Sequence, residues 1–150
     1  MSANHRSSRR HVRRAVRNLR RGRLQRTLSG FAAMSALPLA TDIYLEHYRG
    51  SFGNKMMWSP LAATPPLVAA GVAGVFSERA ARRALPLASA VYGAQGVIGI
   101  GMHMRGLARK PGGFSAASFN LLMGPPLFAP GSLTMVGAIG MLASALPSER

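Results

Sequence analysis

The chain has 150 residues, and its 19 Lys and Arg set against 4 Asp and Glu leave a formal charge of +15. That balance excludes an acidic calcium buffer and a carboxylate-rich hydrolase. No cysteine is present, so a disulfide framework, a thiolate zinc site, a CxxC redox pair and a cysteine nucleophile are excluded as well.

Charge is distributed very unevenly. Ten of the 19 basic residues lie between Arg6 and Arg26, which marks residues 1–26 as a cationic arm. Within it Val12, Ala15, Val16 and Leu19 recur at helical spacing, and Arg10, Arg13, Arg14, Arg17, Arg20 and Arg21 fill the rest of the wheel. That is the pattern of an amphipathic helix lying on anionic lipid headgroups, interrupted at Gly22. A solvated arm that holds the amino terminus in the cytoplasm explains the same charge. Nucleic acid is not favoured as a partner, because the arm has no aromatic residue for stacking and no recognisable module around it.

After the arm, the uncharged stretches are Thr27 to Thr41, Met56 to Phe76, Ala84 to Met104 and Pro111 to Ser148. A bilayer core about 30 Å thick needs roughly 20 helical residues. The second and third stretches fit directly, and the first fits if it runs on through Asp42 to Leu45. The fourth is too long for one span and is punctuated by Pro125, Pro126 and Pro130. It is read as a span starting near Leu127 with Gly124 to Pro126 as its entry turn. The other versions are one bent helix from about Phe119 to Leu146, or a segment from Phe114 to Met123 along the interface with only Gly131 to Leu146 crossing. The predicted fold class is therefore an all-α integral membrane protein. Residues 27–148 form a four-span bundle, with spans at about 27–45, 58–76, 85–104 and 127–146.

Trp58 and Pro60 open the second span as an interfacial aromatic and a first-turn proline. Pro65 and Pro66 fall inside that span and remove two backbone donors. Pro86 is placed near the start of the third span, where it costs little. The third span carries Gly93, Gly96, Gly99 and Gly101, with Ala90 and Ala94 nearby, and small residues three to four apart let a neighbouring backbone come close. With the arm inside, 14 Lys and Arg lie on the inner side and 5 on the outer. This bias predicts a multi-pass protein of the bacterial inner membrane with both termini cytoplasmic.

The first and third spans run the same way and finish on the outer side. Asp42, Glu46 and His47 at the end of one, and His103 and Arg105 at the end of the other, therefore form a candidate polar cluster at matched depth. Three readings remain open. Histidines on two helices suit the axial positions of a b-type haem, which makes His47 and His103 the candidate metal ligands. Carboxylates with histidines suit a non-haem metal or a quinol that is bound and deprotonated. Plain interfacial ion pairs that fix helix ends explain the same residues, and on that account there is neither metal nor cofactor.

No phosphate loop, HExxH or nucleophile elbow occurs, and the short loops leave no soluble domain to hold a substrate. The expected function is therefore a small non-catalytic membrane protein, a subunit or partner of a larger membrane assembly or a homo-oligomer. The runner-up is a redox or quinone-linked subunit using the outer cluster. A channel or transporter comes third, since Thr64, Ser89 and Gln95 are thin provision for a polar path.

Overall fold

The structure is a computed structural model and describes residues 22–147. The six arginines assigned to lipid binding, Arg10 to Arg21, lie outside the described residues. Five α-helices follow one another: α1 (Arg23–Arg49), α2 (Ser59–Phe76), α3 (Glu78–Ala108), α4 (Ala117–Met123) and α5 (Phe128–Ala145). A 3₁₀ turn, Lys55–Trp58, leads into α2, and no strand occurs among the described residues. Four segments are long and apolar enough to cross a membrane: α1, α2 with its 3₁₀ turn, α3 and α5.

Helix ends reach further than the apolar stretches. Gly22 takes the left-handed conformation (φ 63°) directly before α1, a geometry that glycine adopts without penalty. The helix then begins at Arg23, so Arg23 to Arg26 belong to it rather than to a separate arm. α3 begins at Glu78, earlier than the predicted start near residue 85. The extended Ser77 is its N-cap, its side chain accepting from Ala80 N–H at 3.3 Å. Glu78 in the first turn pairs with Arg82 four residues on, 2.9 Å away. Pro86 is consequently two turns inside α3, a correction to its predicted place at the helix start. There its missing N–H leaves the Arg82 carbonyl without the usual i−4 donor.

α1 packs on α2 and α5, and α3 packs on the same two, so the four long helices close a ring. Every neighbour in that ring is antiparallel. Gly71 faces Ala33 while Gly74 faces Ser29 across the α1–α2 seam, and Gly93, Gly96 and Gly99 face Gly137, Thr134 and Pro130 across the α3–α5 seam. These glycines are close-approach positions: a Cβ on Gly96 would sit 2.5 Å from the Pro130 carbonyl oxygen, and one on Gly137 would sit 2.6 Å from the Gly93 Cα.

Small and medium residues therefore make the core, with Ala32, Ala36, Leu67, Leu85, Tyr92 and Leu133 fully or almost fully buried. Large apolar side chains point outward, including Phe76, 83% exposed, and Phe128, 91% exposed. Between 22% and 33% of each apolar window is buried inside the bundle. In water that distribution would leave most of the apolar surface unprotected, whereas in lipid it costs nothing.

One buried polar device joins two helices. Gln25 Nε2 donates to Ser29 Oγ at 2.8 Å and to the Gly74 carbonyl at 3.1 Å. The Gly74 carbonyl is among the last four of α2, which have no partner within their own helix. Gln25 thus caps α2 from α1.

Candidate functional site

At the end where α1 and α3 finish, the ring is incomplete. Ser59, the first residue of α2, lies level with Gln95 on α3, their side chains 2.8 Å apart. The last 13 residues of α3, Gly96 to Ala108, run on beyond that level, about 20 Å. α5 begins only at Phe128, and its Pro130 packs on Gly99. Two of the four walls therefore stop short. The space they leave is a cavity of about 440 Å³, closed by the 3₁₀ turn on one side and by Gly124, Pro125 and Pro126 on the other.

The lining is mostly apolar. Pro60, Pro125, Pro126 and Pro130 give rigid flat walls, and Met56, Met57 and Met102 give soft adaptable ones. Polar groups enter at two levels. Ser59 and Gln95 form the deeper one. Ser59 Oγ also lies 2.7 Å from the Met56 carbonyl, so its single proton is shared between two acceptors. Glu46, His47 and His103 form the upper level, from the last turns of α1 and α3.

His103 is held by the chain itself. Its Nδ1–H donates to the Pro126 carbonyl at 2.6 Å. A carbonyl can only accept, so the neutral ring carries its lone pair on Nε2. His47 lies against the Met57 backbone and close enough to His103 for charges on the two rings to interact. Its Nδ1 is buried with no hydrogen-bond partner among the described residues. Glu46 is half-buried and pairs with the exposed Arg49 at 2.5 Å.

An aromatic group covers the His47 side. Ser51 and Phe52 both have left-handed backbones, with φ of 54° and 47°, a conformation rare for residues with side chains. The Phe52 N–H donates to the His47 carbonyl at 3.0 Å, which holds the turn in place. The Phe52 ring then stacks on Trp58 with centroids 4.1 Å apart and meets His47 edge-on at 6.1 Å. Tyr44 joins at 5.7 Å from Phe52. The strained turn thus serves to bring an aromatic side chain over the histidine.

Of the five residues predicted to form the polar cluster, Glu46, His47 and His103 line one cavity. Asp42 and Arg105 do not line it; both are exposed and neither makes an ion pair among the described residues. Ile43 decides the difference on α1, since its side chain is buried at 4% exposure. His47, four residues on, shares that inward face, whereas Asp42 points about 100° away from it. Among the described residues no group of three or more His, Asp or Glu is placed to hold a metal ion. Thr64 and Ser89 are buried within the bundle. Asn54, Met56 and Met57 line the cavity without having been singled out in the sequence. The signal available was position: they lie between the first span and the Trp58–Pro60 helix start.

Comparison with family models, with curated proteins and with solved structures finds no match.

Proposed function

We propose that the chain is a four-span integral membrane protein that binds a small amphipathic molecule in the cavity between the ends of α1 and α3, without catalysis of its own. It does so as a subunit or partner of a larger membrane assembly, in the bacterial inner membrane, with the arginines Arg10 to Arg21 of the arm resting on anionic headgroups. The observation that carries this reading is the cavity itself: about 440 Å³, apolar walls, and a few convergent polar groups on three helices. Size and lining match those of pockets that hold small molecules, which use apolar surface for affinity and a few polar groups for orientation.

Native mass spectrometry of the protein purified in mild detergent tests it. A small molecule is expected to stay bound to the wild type and to be lost from Ala129→Phe, which fills the cavity from α5. A wild type that retains nothing, or that loses only bulk lipid equally in both forms, rejects the reading.

One observation favours a second reading, a b-type haem or a metal on His47 and His103. The Nδ1–H to carbonyl bond of His103 is the arrangement that commonly orients a metal-ligating imidazole. A visible absorbance band or a stoichiometric metal that disappears in both His47→Ala and His103→Ala would support this reading. Colourless, metal-free protein rejects it.

A further inference from the structure

Resting on the cavity reading, we propose that the molecule it takes is a lipid-soluble aromatic diol, a quinol, and that the reduced form is selected over the quinone by a hydroxyl group donating to His103. Hydrogen-bond polarity is the first argument. The Pro126 carbonyl consumes the Nδ1 proton of His103, so the neutral ring offers the ligand an acceptor at Nε2. The Glu46 carboxylate at the same level is also an acceptor; neither Lys nor Arg lines the cavity, and its amide donors belong to Gln95, at the deeper level, and to Asn54. A quinol hydroxyl can donate to such a site. A quinone carbonyl brings only lone pairs, and His103 Nε2 would be left facing another acceptor.

Shape is the second argument. The walls that approach this end are the rings of Pro125, Pro126 and Pro130 and the thioethers of Met57 and Met102. Flat rigid surfaces and sulfur atoms at a ring edge are favourable neighbours for an aromatic ring, more so than for a flexible chain. Position is the third. The cavity lies at the ends of two apolar helices, beside the layer where a molecule with a polar head and an apolar tail would reside.

The chain carries its own reporter, because its single tryptophan, Trp58, stands between the cavity-lining Met57 and Ser59. The protein in lipid nanodiscs is titrated with decyl-benzoquinol and, separately, with decyl-benzoquinone, without oxygen, and Trp58 fluorescence is corrected with empty nanodiscs. Wild type is expected to bind the quinol at least about tenfold tighter than the quinone, the worth of one hydrogen bond to a partner otherwise left unpaired. In His103→Ala the two forms are expected to bind alike, the quinol having lost its acceptor and the quinone no longer facing the Nε2 lone pair. His103→Phe, which keeps the ring volume, provides the same test should the alanine variant fail to fold. Equal affinities in wild type overturn the assignment of a quinol, and a preference that survives both variants overturns its selection by His103; either result leaves a cavity that binds amphipathic molecules. Binding of neither form, with the native mass spectrum also empty, removes the cavity reading as well.

Discussion

At the scale of single residues the glycines separate cleanly into two kinds. Gly96 has the backbone of α5 against it, whereas Gly101, five residues further along α3, has nothing within 4 Å of where a Cβ would be. Gly96→Leu should therefore destabilise the protein by about 1–3 kcal/mol, the usual cost of forcing volume into a packed seam, and Gly101→Leu should be neutral. Thermal unfolding of both variants in the same detergent checks this; equal melting temperatures would place the α3–α5 contact elsewhere. Gly93, Gly96 and Gly99 at intervals of three made the close face legible in the sequence, whereas Gly101, two residues beyond Gly99, points to another side of α3 and has no partner. Asp42 is the converse case. Its spacing from Glu46 put both carboxylates on one side of α1, yet only the burial of neighbouring Ile43 reveals which side faces inward, and that depends on the packing of α5 and α2 rather than on α1 alone.

At the scale of elements, apolar stretches located the four long helices and charge misplaced their ends. Charged residues suggest loops, yet a helix continues through them wherever its end stands outside the apolar stretch and its caps are in place. Ser77, Glu78 and Arg82 supply a cap, a favourable first-turn carboxylate and an i,i+4 pair, and α3 extends accordingly. Pro38 in α1, Pro65 and Pro66 in α2, and Pro86 in α3 then all fall inside helices. Pro86→Ala returns a donor to the Arg82 carbonyl and should raise the melting temperature, with a ceiling of about 3 kcal/mol. A lower melting temperature would mean that the α2–α3 hairpin requires the proline's bend. Length alone could not have shown that α2 and α5 stop short of α3. The cavity follows from that shortfall, which is why its upper residues were legible as helix-end chemistry and its Pro and Met walls were not.

At the scale of the whole molecule, an even number of spans returns the chain to the side from which it started. A reporter enzyme fused after Arg150 should be active on the cytoplasmic side, the side of the arm, and activity confined to the opposite side would contradict the charge bias. The two ends of the bundle are joined very differently. At one end the single residue Ser77 connects α2 to α3, and Gln25 ties α1 to α2 beside it. At the other, longer segments, residues 50–58 and 109–127, link the helices around the cavity. Mechanically this makes the bundle a pair of tongs with its pivot at Ser77. A rotation of a few degrees there is multiplied along the length of α3 into a displacement at the far tips. Those tips carry His47 and His103, so splaying would widen the gap between them while the α1–α2 and α3–α5 glycine seams, each within one arm, stay closed.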